Sequence, residues 1–201
     1  QVSYDSQSMA YVPFPVDLGI VGYRVCFAHP VVVKQLEQVT SIKALKKFTH
    51  GQGNGWADVD ILRHNGFQVD ISYAYENLFH MVALRRFDLF CRGINEFLSE
   101  LKGHLDIHGL AYDQTIAITY PLPRFLYTNS NNTSALDRLH RGILIAYKDG
   151  SLHALWRKQY QPSIDYVRLT ERRIFALENP LLKNLDFNYQ QYFYSPVKSA
   201  R

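Results

Sequence analysis

The stretch FTHGQGNGWADVDILRHNG, residues 48–66, has the composition of an anion-binding or nucleotide-binding loop. Three glycines, Gly51, Gly53 and Gly55, alternate with polar residues before Trp56 and a helix-like run. A glycine turn that opens a helix leaves backbone N–H groups free, and these attract phosphates and carboxylates. The same glycines could instead serve only a tight turn that needs a positive φ angle. The residues alone leave both interpretations open.

The spacing of this turn excludes two common phosphate-binding motifs. A dinucleotide loop of the G-x-G-x-x-G type has glycine where this chain has Trp56, and a P-loop has a lysine directly after its glycine turn, which is missing here. A strand, a glycine turn and a helix N-terminus remain, and these can receive a carboxylate. We therefore expect four residues of the turn to contact a small solute: Gln52, Gly53, Asn54 and Trp56.

Arg92 is the second candidate. In the segment FDLFCRGINE, residues 87–96, it lies at the end of an expected strand and the start of an expected helix. Ligands of open α/β sheets bind at this end of the strands, and a guanidinium can hold a carboxylate through two hydrogen bonds. Because the glycine turn ends another strand of the same sheet, Arg92 and Asn95 are expected beside it. A surface salt bridge is the alternative role for Arg92.

Other reactive residue types form no convincing constellation. His104 and His108 flank Asp106 and could hold zinc on a helix, but the glycines on either side favour a loop. Glu96 and Glu100 lie four residues apart on an expected helix, which alone does not make an acid–base pair. We therefore predict no metal ion, no cofactor and no catalytic residue.

The composition bounds the class of protein. The chain has 201 residues, of which 47% are hydrophobic, enough for one domain or two small lobes. The net charge is +4 and the basic residues are scattered, so nucleic acid is not an expected partner. No apolar run approaches the roughly 20 residues needed to span a bilayer. The two cysteines, Cys26 and Cys91, could pair in an oxidising compartment or stay separate.

The hydrophobic periodicity predicts alternating strands and helices, which is typical of a parallel sheet covered on both faces. The expected strands are 20–28, 47–52, 67–74, 87–91, 115–129 and 173–179. The expected helices are a short one after residue 40 and those at 56–66, 74–87, 94–103, 134–150 and 151–160. Residues 29–40 are expected to form a loop, and Ser134 to cap the amphipathic helix that follows it.

The order of these pieces resembles a known family. The run from residue 45 to residue 101 resembles lobe 2 of the type 2 periplasmic solute-binding proteins of the polar amino-acid type (bacterial extracellular solute-binding family 3). Residues 52–55, Gln-Gly-Asn-Gly, stand at the family's turn, and residues 86–89, Arg-Phe-Asp-Leu, stand at a later family strand. AYKDGSLHALWRKQY, residues 146–160, matches the end of its C-terminal helix. The match covers roughly residues 20–160.

The resemblance implies an α/β chain with the periplasmic-binding-protein type 2 fold, with lobe 2 complete and lobe 1 partial. Residues 23–123 would form lobe 2, and residues 1–22 and 124–201 would form a remnant of lobe 1 with a C-terminal tail. The chain would cross between the lobes near residues 23–27 and 120–125. Much of the N-terminal part of lobe 1 has no counterpart, so we expect exposed apolar surface and self-association.

The resemblance also implies a function. A small solute would bind between the lobes without being transformed and pass to an ABC permease or a sensor protein, in the periplasm, although no signal peptide stands in this sequence. The family's carboxylate-binding arginine would fall near residues 5–6, where there is none, and its amine-binding aspartate at Gly93, beside Arg92. These departures favour an anionic solute over a standard α-amino acid. Two alternatives remain: a dehydratase-like enzyme using Glu96 or His50, and a remnant that binds nothing.

Overall fold

The computed structural model describes residues 9–193. Its strands are β1 Met9–Tyr11, β2 Tyr23–Ala28, β3 His50–Gly53, β4 Val69–Ser72, β5 Phe90–Gly93, β6 Ala111–Tyr112, β7 Ile116–Thr119, β8 Tyr127–Asn129 and β9 Arg173–Ala176. Its α-helices are α1 Pro30–Leu36, α2 Ile42–Leu45, α3 Ala57–His64, α4 Tyr75–Ala83, α5 Ile94–Gly103, α6 Thr133–Lys148 and α7 Ser151–Val167. The expectation about residues 5–6 lies outside the described residues. None of the helices within the described range is long and apolar enough to cross a membrane.

The central sheet is mixed, and the prediction of an all-parallel sheet is wrong for one strand. The strand order is β5-β2-β7-β9, with β6 also paired to β2, and a parallel bridge between His50 and Leu89 connects this sheet to the parallel pair β3-β4. β2 runs antiparallel to both β5 and β7. Crossover helices impose parallel order on β3, β4 and β5, whereas β2 enters the sheet ahead of that series and fills the place between β5 and β7.

The predicted cover on both faces of the sheet is confirmed. Successive residues of β2 point to opposite faces, because the side-chain period of a strand is two. Val25 and Phe27 face the core under α4, α5 and α7, whereas Cys26 and Ala28 face the core under α1, α2 and α3. The predicted buried stripe of α4 is also confirmed, since these side chains are all buried: Leu78, Phe79, Val82 and Ala83.

The open question about the cysteines is answered by the register of β2 on β5. Cys26 lies directly opposite Cys91, and their sulfur atoms form a disulfide. The same register places Arg24 opposite Gly93 and Val25 opposite Arg92. The covalent link therefore joins the strand that carries Arg24 to the strand that carries Arg92.

Two local expectations are wrong at helix starts. Residues 29–40 include helix α1 instead of a continuous loop, because Pro30 stands at the first helical position and the His29 ring accepts a hydrogen bond from the Val31 N–H at 3.2 Å. Helix α6 begins at Thr133, so Ser134 lies inside the helix and does not cap it. The Ser41 cap of α2 is confirmed, since its Oγ accepts from the Ala44 N–H at 3.2 Å.

The remaining elements pack beside the sheet. β1 pairs with β8, and the backbone of Val16 donates to the Arg124 carbonyl at 2.9 Å. α7 packs along α5, and the Trp156 Nε1–H donates to the Asp17 carbonyl at 2.8 Å. α6 contacts α7, and none of the α6 residues, all of which are described, is buried.

Candidate functional site

A cavity of about 320 Å³ lies where the N-terminal ends of α3 and α5 meet the irregular segment 122–124. The side chains that give it its chemistry are Arg24, Trp56, Asp58, Arg92, Glu96 and Arg124. In the part of the chain that the structure describes, no side chain caps the first turn of α3 or of α5. The backbone N–H groups of both helices are therefore directed toward this end of the fold, where they favour negative charge.

The glycine turn before α3 is shaped by packing. Gly55 has a φ of 76°, which favours glycine. A Cβ on Gly53 would lie 2.3 Å from the Trp56 ring, so the indole packs directly on the strand end. The tight-turn interpretation thus accounts for Gly55 only, whereas Gly53 leaves room for the Trp56 ring, which lines the cavity.

Arg92 lies in a charged network inside the cavity wall. Its Nη2 is 2.5 Å from Glu96 Oε2, and its Nε donates to Glu100 Oε1 at 2.8 Å. The guanidinium also lies 4.6 Å from the centre of the Trp56 ring, at cation–π distance. Arg92 thus forms the salt bridges that its alternative role required, although they lie mostly below the surface. Burial lowers the pKa of Arg92, but the Glu100 and Glu96 carboxylates outweigh it and leave the pKa raised.

A second network was missed by the sequence interpretation. Arg24 is 4% exposed, and its Nη2 lies 2.8 Å from Asp58 Oδ1. The Tyr120 hydroxyl donates to the same oxygen at 2.5 Å, and the Tyr120 ring lies 5.4 Å from the guanidinium. Burial and the Asp58 charge raise the pKa of Tyr120. One signal was available in the sequence: Arg24 is a lone charge within the apolar strand IVGYRVCFA.

The predicted solute contacts divide into three groups. Trp56 and Arg92 line the cavity. Gln52 and Asn95 are not among the lining residues, and each has a buried amide oxygen without a hydrogen-bond partner among the described residues. Gly53 lies under the Trp56 ring, and Asn54 is exposed and outside the lining.

The two residues proposed for an enzymatic role differ in access. Glu96 lines the cavity and lies 3.3 Å from Arg124 Nη2. His50 is fully buried, 3.7 Å from Cys91 Sγ, and outside the lining. Burial lowers the pKa of His50 to about 4. His50 therefore cannot exchange a proton with a solute in this cavity.

The zinc alternative has no support in the region that the structure describes. His104 contacts the Glu100 carbonyl at 2.6 Å and Glu76 Oε2 at 2.9 Å, and its ring stacks on Phe79. His108 lies in the loop after α5, as expected. Across residues 9–193, no three histidine, cysteine or acidic side chains are grouped as metal ligands.

Comparison with known proteins identifies the architecture. No protein-family model and no curated protein matches the sequence. Among solved structures, an ancestral arginine-binding protein bound to arginine matches at 14% identity and a TM-score of 0.53 over 76% of this chain. A putative binding component of an ABC transporter from Wolinella succinogenes, complexed with lysine, matches at 14% and 0.55 over 76%. The GluR0 ligand-binding core in complex with L-glutamate matches at 7% and 0.58 over 78%.

This chain has the type 2 periplasmic-binding-protein fold. It spans 64%, 63% and 66% of the lengths of those three chains, so it represents part of the architecture they share. Identities this low carry the fold alone. Within this fold, the cavity lies at the helix N-termini that follow β3 and β5, where the sequence predicted a site.

Proposed function

We propose that the chain binds a small polar, anionic solute in the cavity beside Arg92 and does not transform it. The observation that carries this proposal is the convergence of three arginines, Arg24, Arg92 and Arg124, on one cavity at two helix ends without side-chain caps. Guanidinium groups and free backbone N–H groups are the groups that hold carboxylates in proteins.

The similar structures support solute binding as the general role. Those proteins hold arginine, lysine and L-glutamate, respectively, as bound compounds. The cavity of about 320 Å³ lies near the lower limit of typical ligand pockets, which suits a compound of that size class.

The carboxylate of Glu96 would compete with an incoming solute for the arginines of the cavity. It bridges Arg92 and Arg124, at 2.5 Å and 3.3 Å. The Arg124 side chain is 54% exposed, so this contact is the weaker one. An incoming carboxylate would replace Glu96 on Arg124, and the segment 120–125 would move toward α5 as the cavity closes.

The test is calorimetric titration of the chain with amino acids, hydroxy acids, dicarboxylates and small sugars. We expect a carboxylate to bind, and Arg124→Ala to weaken that binding by about tenfold or more, as expected for a lost charge-assisted hydrogen bond. Arg138→Ala is the matched control, because Arg138 is an exposed arginine on α6. Binding by none of the compounds, or equal binding to the Arg124 variant, would contradict the proposal.

The compartment and partners follow from the same proposal. A disulfide is stable in oxidising compartments such as the periplasm, so Cys26–Cys91 favours an exported protein. One similar structure is named as a component of an ABC transporter, and delivery of the solute to an ABC permease, or to a sensor, is the role we propose here. Copurification of the chain with a permease in the presence of the solute would test it.

We also propose that the chain self-associates through the α6 side of the fold. Leu139, Ile145 and Leu155 are between 46% and 63% exposed there. Large apolar side chains exposed on two neighbouring helices favour an interaction surface. Light scattering should detect a dimer or larger species that Ile145→Glu dissociates; a monomer at every concentration would refute self-association.

A further inference from the structure

Two asparagines of the chain are each followed by glycine, as Asn54–Gly55 and Asn65–Gly66. In such a pair the backbone nitrogen of the glycine can attack the side-chain carbonyl carbon of the asparagine, because glycine has no Cβ to obstruct the approach. The two glycines have nearly the same backbone conformation, with φ angles of 76° and 81°. Any difference in reactivity between the pairs therefore comes from the contacts around them.

The side chain of Asn65 is held on both of its polar atoms. Its Nδ2 donates to the Ile61 and Glu178 carbonyls, both at 2.8 Å, and its Oδ1 accepts from the Glu178 N–H at 3.1 Å. The attacking group is occupied as well, since the Gly66 N–H donates to the Arg63 carbonyl at 2.9 Å. Attack at this pair requires these hydrogen bonds to break before the side chain can turn toward the glycine nitrogen.

The side chain of Asn54 has none of these restraints. Asn54 and Gly55 are both exposed. Within residues 9–193, neither the Asn54 amide group nor the Gly55 N–H forms a hydrogen bond. The main chain on either side is fixed, since the Asn54 N–H donates to the Ser72 carbonyl at 2.9 Å and the Trp56 N–H to the Gly53 carbonyl at 3.2 Å. Both reacting groups of Asn54–Gly55 are therefore accessible and free to meet.

We propose that Asn54 is a site of spontaneous deamidation, with water as the only co-reactant. The Gly55 nitrogen loses its proton to solvent and forms a bond to Asn54 Cγ. The bond from Cγ to Nδ2 breaks, and the nitrogen leaves as ammonia, which gives a five-membered succinimide ring. Water then opens the ring at either of its two carbonyl groups and leaves aspartate or isoaspartate at this position. One water is consumed, one ammonia is released, and nothing is oxidised or reduced.

The modification changes the turn that precedes α3. Both products carry a new carboxylate, and the isoaspartyl product also has one more carbon atom in the main chain. This turn is closed by the hydrogen bond from the Trp56 N–H to the Gly53 carbonyl, and Trp56 lines the cavity beside Arg92. The reaction therefore alters the segment that positions one wall of the cavity. It does not depend on the proposed solute-binding function, so the two proposals can fail separately.

The test is peptide mapping by mass spectrometry after the whole folded chain has been incubated in mildly alkaline buffer. Trypsin cleaves after Lys47, Arg63 and Arg85, so the two Asn-Gly pairs fall in separate peptides, 48–63 and 64–85. Replacement of an amide by a carboxyl group adds about 1 Da. We expect this gain in peptide 48–63 to appear about tenfold faster or more than in peptide 64–85, because Asn65 reacts only after its hydrogen bonds open. No gain in peptide 48–63, or an equal or faster gain in peptide 64–85, would overturn the proposal.

Two controls assign the reaction to Asn54 and the protection of Asn65 to the fold. In Asn54→Gln the gain in peptide 48–63 should disappear, and a gain at the original rate would mean that another residue reacts. In the chain unfolded in guanidinium chloride the two peptides should gain mass at similar rates. A rate difference that is as large in the unfolded chain as in the folded one would overturn the structural argument.

Discussion

Helices α5 and α6 have similar amphipathic sequences but differ in how deeply their side chains are buried. α5 buries Ile94, Phe97 and Leu101 against the sheet, whereas α6 buries none of its residues. The difference lies in what each helix finds to pack against: α5 lies on β2, β5 and α7, and α6 mainly on α7. An amphipathic sequence therefore does not determine how deeply a helix is buried: Leu136, Ile143 and Tyr147 of α6 pack against the core only as partly buried side chains.

The difference in burial between α5 and α6 also distinguishes the cavity, which lies beside α5, from the exposed apolar side chains of α6. α5 carries Asn95, Glu96 and Glu100 on a helix whose other face is anchored in the core. Arg92 is therefore held by carboxylates on a rigid element, which is the arrangement that keeps a binding group in position. The α6 side has no comparable anchorage, and we place self-association there.

The largest loss of stability is expected from a substitution on α5 that removes a core side chain. Phe97 is fully buried, and its ring stacks on that of Phe27 at 4.6 Å. Phe97→Ala removes this packing and leaves a cavity, so it should lower the free energy of unfolding by about 3–5 kcal/mol in urea denaturation. A loss below about 1 kcal/mol would show that α5 is no better anchored than α6.

Removal of the disulfide is expected to cause the next largest loss of stability. The bond joins residues 65 positions apart, and closing a loop of that size restricts the unfolded chain. Replacing Cys26 and Cys91 together by alanine should lower the free energy of unfolding by about 2–4 kcal/mol. Treatment of the unmodified chain with a dithiol reductant under unfolding conditions should give a comparable loss. Equal stability of oxidised and reduced chains would contradict the expected contribution.

The buried side chain of His50 predicts that the free energy of unfolding depends on pH. Burial lowers the pKa of His50 to about 4, so between pH 6.5 and 4 the unfolded chain takes up a proton that the folded chain does not. Stability is therefore complete above about pH 6.5 and falls by about 3 kcal/mol as the pH drops to 4.

The measurement is urea denaturation across that pH range. His50→Gln should remove this part of the slope, and His80→Gln, at an exposed residue of α4, should not. Identical slopes in all three proteins would show that another group controls the acid sensitivity.

The smallest effect is expected on α6. Leu139 is 46% exposed, so Leu139→Ala should change the free energy of unfolding of the monomer by no more than about 0.5 kcal/mol. A much larger loss in dilute protein would mean that α6 is anchored after all and would remove the contrast with α5.

The sequence was informative where local patterns determine structure. The turn before Trp56, the cap at Ser41 and the buried stripe of α4 all follow from local propensity and periodicity, and all are observed. The position of Arg92 at a strand end placed it at the cavity for the same reason.

Long-range pairing was beyond these patterns. The antiparallel direction of β2 and the pairing of Cys26 with Cys91 depend on register between strands far apart in the chain. Arg24 joins the cavity only through that register, and Asp58 through the meeting of α3 with Tyr120. Burial of α6 is likewise a property of its neighbours and not of its own residues.

The Cys26–Cys91 bond also has a consequence for the cavity wall. It joins β2, which carries Arg24, to β5, which carries Arg92, so these two strands are held together covalently as well as by hydrogen bonds. The backbone positions of Arg24 and Arg92 therefore keep a constant separation.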